Sequence, residues 1–306
     1  MRVLLTGASG FVGSGVAHAL SNYDLTLIGR RHVQSNASYL KEINGSECYS
    51  DCLSNIDVVI HCAARVHVMK DVSQDPLGEY RKVNVAGTLN LARQAAELGV
   101  KRFIFLSSIK VNGECTRDGQ PFRANDTPSP QDAYSKSKYE AEQGLQSLAA
   151  ETGMELVIIR PPLVFGHGVK GNFATLLKLL EKKVPLPLGA VNNSRSFVAL
   201  DNLIDLVVTC IDHPKAANQI FLVSDDHDLS TTELLELLGR SSGNPSRLIP
   251  MPESWIKFGA GVLGKPEIAD RLFSSLQVDI SHTKKILDWQ PPVPLEEAMF
   301  RYFSIG

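Results

Sequence analysis

The 306-residue chain lacks a strong charge of either sign: 31 Lys and Arg against 33 Asp and Glu leave −2 at pH 7. That balance marks no nucleic-acid footprint and no electrostatic membrane anchor. No apolar run reaches 18 residues, so neither a transmembrane helix nor any other membrane insertion is expected. The opening run through Thr6 is too short for a secretory signal. The five cysteines (Cys48, Cys52, Cys62, Cys115 and Cys210) form no Cys-x-x-Cys pair and leave one over, which argues against a disulfide framework and for a reducing cytoplasm. Cys48 and Cys52 have no second His or Cys pair at zinc spacing, so no metal site is expected. Repeats and low-complexity tracts are also missing. What remains is the composition of an ordinary cytoplasmic globular protein, with 43% apolar residues to build a core.

The apolar residues are ordered. Short β-branched runs at 2–6, 24–28, 57–62, 102–107 and 155–160 alternate with helical segments. Near-continuous apolar character suits strands buried on both faces of a parallel sheet. Asp75 can cap and Pro76 can open a long helix that Gly99 closes. This rhythm predicts an α/β fold, a Rossmann doubly wound parallel sheet, over residues 1–165, rejoined by about 195–223. Residues 166–194 and 224–306 are expected to form a smaller, mostly helical substrate-binding lobe, with helices near 172–183, 231–239, 253–264, 266–277 and 294–304. Such a lobe would sit against the strand carboxyl ends, where open α/β sheets bind ligands.

Between the first strand and the first helix runs Thr6-Gly7-Ala8-Ser9-Gly10-Phe11-Val12-Gly13. Gly7 can make the tight turn, Gly10 lets amides approach a pyrophosphate, and Gly13 lets the helix lie close to the sheet. The helix N-terminus, with Phe11 and Val12, adds N–H donors and a positive dipole end. The second strand then ends Gly29-Arg30-Arg31 with no acid. A dinucleotide site that prefers NAD carries Asp or Glu there for the ribose hydroxyls, whereas two guanidiniums suit a 2′-phosphate. The pair therefore favours NADP(H), with NAD(H) left open.

Tyr134 and Lys138 are spaced i, i+4, which on a helix puts them on one face. To act as acid or base near neutrality a phenol must titrate well below its ordinary pKa of about 10, a shift of about 4 kcal/mol, and a nearby ammonium favours the phenolate. Ser107 and Ser108 end the run at 102–107; Ser108 can bond a substrate oxygen beside Tyr134, and Ser107 is expected to satisfy strand-end backbone.

Taken together, the Gly7–Gly13 loop, His61-Cys62-Ala63-Ala64, Asn84-Val85-x-Gly87-Thr88, Ser107-Ser108-x-x-Val111-x-Gly113 and Tyr134-x-x-x-Lys138 resemble the extended short-chain dehydrogenase/reductases. Within them the chain looks like the nucleotide-sugar epimerase/dehydratase branch, UDP-glucose 4-epimerases included. The likeness extends through Arg160-Pro161-Pro162-x-Val164-Phe165-Gly166 to Leu287-Asp288-Trp289-x-Pro291, loosening after residue 165. It implies Ser108, Tyr134 and Lys138 as the catalytic set. It also implies that Ala63, Ala64, Asn84 and Pro161 line the cofactor with Tyr134 and Lys138, and that Asn172 and Arg195 meet the diphosphate of a UDP-sugar; the family's second arginine has no clean match, and Arg271 is the candidate in its place. A homodimer through helices 76–98 and 132–150 is a further implication.

One departure narrows the chemistry. The branch's 4,6-dehydratases follow their catalytic Thr with Asp-Glu, but Ser108 is followed by Ile109-Lys110, and neither can be the acid or base that elimination requires. Oxidation–reduction at C4 remains. The arginine pair favours an NADPH-dependent reductase of a UDP-4-keto-6-deoxy sugar, resembling the bacterial enzymes that reduce such N-acetylhexosamines for surface polysaccharide. The alternatives are a UDP-sugar 4-epimerase with retained NAD, and a dinucleotide-sensing protein without activity.

Overall fold

The apolar runs pair side by side. In a computed structural model describing residues 1–31, 37–66, 75–169, 172–262, 264 and 266–304, seven strands form one parallel sheet. They are β1 (Arg2–Thr6), β2 (Asp24–Gly29), β3 (Ala37–Leu40), β4 (Val58–His61), β5 (Arg102–Leu106), β6 (Glu155–Arg160) and β9 (Gln219–Leu222). Their order is β3-β2-β1-β4-β5-β6-β9, which reverses direction beside β1 as a doubly wound sheet requires. β7 (Leu163–Phe165), β8 (Arg195–Ala199) and β10 (Asp228–Leu229) make a separate three-stranded sheet.

The period of two along each strand explains why the runs are apolar throughout. Val3 and Leu5 face one core, where α1 (Phe11–Ala19) and α7 (Leu200–Asp212) contribute Val16, Leu203 and Val207. Leu4, Phe103 and Phe105 face the opposite core with Leu91 and Ala95 of α4 (Thr88–Glu97) and Ala141 and Leu145 of α5 (Ala133–Thr152). The central strands are covered twice, so neither of their faces can be polar. The lobe has its own core: Leu177 and Leu180 of α6 (Asn172–Glu181), Leu234 and Leu238 of α8 (Thr231–Ser241) and Met299 of α12 (Leu295–Ser304), against Phe165 and Phe197. Among the described residues no helix is long and apolar enough to cross a membrane.

Four local features depart from the sequence expectation. The short edge strand β3 and the lobe strands β7 and β10 are too brief to show a period. The helix opened by Pro76 is not one α-helix. Asp75 caps it by accepting from Gly78 N (2.9 Å), but α3 (Pro76–Arg81) passes into a π-helical turn, Lys82–Gly87, before α4. The helix expected over 266–277 ends as α10 (Pro266–Phe273), because Leu276 and Val278 leave it to bridge Arg195 and Phe122. Finally, α7 and β9 return to the large sheet, whereas β8 pairs with β7 and β10, placing Phe197 in the lobe core and Val198 in the sheet core.

Candidate active site

The registers Thr6↔His61, His61↔Phe105 and Leu106↔Ile159 level the carboxyl ends of four strands. The Gly7 loop, Ala63, Ser108 and Pro161 therefore share one edge of the sheet. Gly7 has φ +76°, and a Cβ there would lie 2.7 Å from Ala63 N; at Gly13 it would lie 2.1 Å from Gly7 O. No other residue type fits either position, so the backbone of this loop stays bare. Gly10 precedes α1 in an extended conformation, and the helix's first turn contains no acidic residue to offset its positive end. A loop with glycine at three positions, leading into a helix whose N-terminus has no side-chain cap, is what a dinucleotide pyrophosphate fits. Phe11 and Val12 begin the helix, half-buried, and Ala63 N donates to Thr6 Oγ1 (3.1 Å) beside half-buried Ala64. Arg30 and Arg31 follow β2 next to this loop, both exposed.

α5 delivers the Tyr-Lys pair. Its start is fixed by a capping box in which Ser135 N donates to Asp132 Oδ1 (2.7 Å) and Asp132 N to Ser135 Oγ (3.1 Å). Lys138 is 2% exposed; its Nζ donates to Leu106 O (2.8 Å) and lies 4.4 Å from the centre of the Phe105 ring. Burial, opposed by Cys62 and Glu142, pulls its pKa down to about 8. The half-buried Tyr134 meets the Tyr80 ring edge-on, centroids 6.1 Å apart. Burial, then the charge of Asp132 and the Tyr80 phenol, push the Tyr134 pKa upward. In the protein alone, desolvation prevails over the pull expected from the neighbouring ammonium. Ser108 lies half-buried two residues beyond β5, its Oγ accepting from Lys110 N (3.3 Å) and its hydrogen not spent on that bond.

Asn84 lies in the π-turn, 1% exposed. It accepts from Arg65 N (2.8 Å) and donates to Arg65 O (3.0 Å) and Ser137 Oγ (2.9 Å), tying the exit of β4 to α5. An i+5 turn rotates a residue relative to an α-helix and recurs at functional sites; here it turns Asn84 inward. Pro161 is buried, and its carbonyl accepts from Ile109 N (3.0 Å).

Ser107 behaves otherwise than expected. Its hydroxyl does not satisfy strand-end backbone but donates to Glu142 Oε1 (2.5 Å). Glu142 is paired through both oxygens with Arg160, Nε at 3.0 Å and Nη2 at 2.5 Å, and Arg160 Nη1 also reaches Asn112 Oδ1 (2.9 Å). Ile109 is buried in the sheet core, while Lys110 Nζ donates to Asp132 Oδ2 (2.7 Å) and Glu114 Oε1 (3.0 Å). Position 110 thus secures the start of α5. Burial works against ionising Asp132, but the Lys110 and Ser135 donors prevail and hold it at about 2.

In the lobe, Arg195 Nη1 donates to Arg271 O (2.9 Å) and Ser274 O (3.0 Å), which sets the two arginines side by side. Burial lowers the pKa of the Arg195 guanidinium; Glu114 opposes this and the like charge of Arg271 adds to it. Such a pair is relieved by an anion. Arg271 is exposed on α10. Asn172 begins α6, but its side chain lies outside the described residues.

Several residues of the site had no role assigned from sequence, although Thr6, His61, Thr88 and Arg160 stand in the quoted motifs: Thr6, His61 and Thr88, Tyr80, and the Glu142–Arg160 pair. One signal for the last was available. Tyr134, Lys138 and Glu142 follow at i, i+4 and i+8, and an arginine ending an apolar strand needs a buried partner. His61 bridges Thr6 Oγ1 (2.7 Å) and Thr88 Oγ1 (2.9 Å), with burial and the Lys138 charge lowering its pKa to about 3. The native state keeps it neutral where the unfolded chain protonates near 6.5. Its contribution to stability is therefore complete above about pH 6.5 and is lost as the pH falls towards 3. Unfolding free energy should drop by about 2 kcal/mol between pH 7 and pH 5 from this group. Denaturant titrations should show that drop shrink in His61→Asn; an unchanged pH slope would mean that His61 is not its source.

A family model described as the NAD dependent epimerase/dehydratase family matches residues 3–224. A UDP-glucose 4-epimerase of Vibrio cholerae is 51% identical over 302 residues, covering 96% of this chain and 92% of its own. An N-acetyl-α-D-glucosaminyl-diphospho-ditrans,octacis-undecaprenol 4-epimerase of Escherichia coli O157:H7 is 29% identical over 258 residues, 82% of this chain and 76% of its own. Among solved structures, the UDP-glucose 4-epimerase of Thermotoga maritima with UDP-glucose superposes with TM-score 0.78 at 22% identity, covering 99% and 98% of the two chains. The UDP-glucuronic acid 4-epimerase of Bacillus cereus with NAD gives 0.80 at 21% identity, covering 99% and 96%.

Proposed function

The chain belongs to the NAD-dependent epimerase/dehydratase family, and we propose that it is a UDP-sugar 4-epimerase, interconverting a pair such as UDP-glucose and UDP-galactose with a retained NAD. The observation that carries this reading is the 51% identity to a UDP-glucose 4-epimerase over nearly the whole of both chains. It outweighs the reductase that the Arg30-Arg31 pair alone favours. The site chemistry agrees, since elimination has no acid or base at Ile109 or Lys110.

The bare Gly7–Gly13 loop and the α1 N-terminus would hold the pyrophosphate of NAD, with Ala63, Ala64, Asn84 and Pro161 beside the rest of the cofactor. When bound, NAD supplies a hydride acceptor, and then a hydride donor, at the sugar C4. Tyr134 takes the proton from the C4 hydroxyl as the C–H bond breaks, and returns it to the oxygen once the 4-keto sugar has turned its other face. Ser108 donates to that oxygen and fixes its position. Lys138, anchored on the Leu106 carbonyl, places positive charge under the reaction and offsets the desolvation that holds the Tyr134 proton. Asn172, Arg195 and Arg271 would grip the diphosphate. A homodimer through α3, α4 and α5 belongs to the same reading.

The test is direct. Purified protein given UDP-glucose and no added cofactor should form UDP-galactose, and denaturation should release NAD. If instead it leaves UDP-glucose untouched but oxidises NADPH with a UDP-4-keto-6-deoxy sugar, the second reading, a reductase, replaces the first. Arg30 and Arg31, exposed beside the phosphate loop, are the observation in its favour. In that case R30S/R31S should weaken NADPH more than NADH.

A further inference from the structure

Lys110 joins the two segments that each deliver a hydroxyl to the site. Its backbone belongs to the short turn Ile109–Val111 that follows Ser108, and its N–H donates to Ser108 Oγ (3.3 Å). Its side chain crosses to the start of α5, where Nζ donates to Asp132 Oδ2 (2.7 Å). The other oxygen of that carboxylate, Oδ1, accepts from Ser135 N (2.7 Å) and caps the helix. Tyr134 stands in the turn so capped. One carboxylate therefore carries both the helix start and the tie to the Ser108 turn.

The tie is braced. Glu114, four residues along the segment of Lys110, accepts from the same Nζ (3.0 Å). The Lys110 and Asp132 side chains are 23% and 29% exposed, so water screens them less than an ordinary surface pair. Other bonds fix the Ser108 turn to the sheet: Ile109 N donates to Pro161 O (3.0 Å), and Asn112 Oδ1 accepts from Arg160 Nη1 (2.9 Å). A backbone bond from Ser129 N to Val111 O (2.9 Å) brings the approach to α5 alongside, but it ends three residues short of the cap.

We propose that Lys110 is a positioning residue of the C4 reaction, clamping the Ser108 turn to the first turn of α5 and so fixing the separation of the Ser108 and Tyr134 hydroxyls. This rests on the reading that both hydroxyls meet the C4 oxygen of the sugar. Groups on separate elements serve one atom only if their spacing is held, and a misplacement of about 1 Å can cost about a hundredfold in rate. A contribution to binding would run instead through Glu114, whose charge acts on Arg195, and would appear in KM.

The purified protein and its variants should be assayed over a range of UDP-glucose concentrations. Lys110→Met should lower kcat about 10- to 100-fold with KM within about twofold. Lys110→Arg, which keeps a cation for both acids, should recover most of that loss, and Lys110→Glu, which repels them, should fall below Lys110→Met. In a Tyr134→Phe background Lys110→Met should cost less than about twofold, because a residue that acts through Tyr134 has nothing left to position. An equal loss in both backgrounds would make the role merely structural and overturn the proposal. A raised KM at unchanged kcat would also overturn it, assigning Lys110 to the diphosphate side. Amide hydrogen exchange gives a readout without turnover. The Ser135 and Lys136 N–H groups, both bonded to Asp132, should exchange about fivefold faster in Lys110→Met and at the parent rate in Lys110→Arg; unchanged exchange in Lys110→Met would count against the clamp. If the unaltered protein leaves UDP-glucose untouched, the epimerase reading falls by itself. The same variants are then compared in the NADPH-dependent reduction, which needs the same two hydroxyls.

Discussion

Tyr134→Phe should lower kcat by about 10²- to 10⁴-fold, the range for removing a positioned general acid–base, while KM for the UDP-sugar moves little. The substitution deletes one oxygen. The capping box at Asp132 and Ser135 still starts α5, the ring still meets Tyr80 edge-on, and Lys138 still reaches the Leu106 carbonyl. The loss is therefore chemical, and circular dichroism and the melting temperature should be unchanged. Burial holds the phenol above its ordinary pKa in the protein alone, so its action as the base that takes the C4 hydroxyl proton depends on positive charge placed beside it. Lys138→Met removes one such charge and should displace the alkaline limb of the rate profile as well as lower the rate. Steady-state kinetics decide the matter. A Tyr134→Phe enzyme within tenfold of the parent would take the proton transfer away from Tyr134.

The contrast between Tyr134 and Glu142 shows which parts of such a site a sequence discloses. Tyr134, Lys138 and the Gly7–Gly13 loop are local patterns, each legible because one element carries the whole spacing. The sheet was equally legible, since strands buried on both faces are apolar on both, as at Val3, Leu4 and Leu5 of β1 and Phe103, Ile104 and Phe105 of β5. What escaped was non-local or geometric. Ser107, Glu142, Arg160 and Asn112 come from three separate segments. The π-turn at Lys82–Gly87 changes the direction of Asn84 without changing the helical pattern around it. β8 reads as a strand, but nothing in five residues tells which sheet will take it. The Tyr134 shift is non-local in the same way: spacing reveals an ammonium nearby, whereas desolvation depends on everything packed around the phenol.

Glu142→Gln should be the most damaging single change for stability outside the cofactor loop, at about 3–5 kcal/mol, the cost of leaving one partner of a buried ion pair uncompensated. Glu142 and Arg160 side chains are 1% and 2% exposed, so water cannot replace the lost carboxylate. Glutamine retains an acceptor for the Ser107 hydroxyl and nearly the same volume, so the change isolates the charge from packing and hydrogen bonding. Urea unfolding should show the midpoint fall with an unaltered slope. The double replacement Glu142→Leu with Arg160→Met should recover much of that loss, because an apolar pair carries no desolvation penalty. If it does so yet kcat remains low, the pair's role lies in placing Ser107, and through it Ser108, at the end of β5. If Glu142→Gln costs less than about 1 kcal/mol, the pair contributes no more than an exposed one would, and the rigidity of the β5 end must come from the surrounding core of Ile109, Phe105 and Ile159 instead.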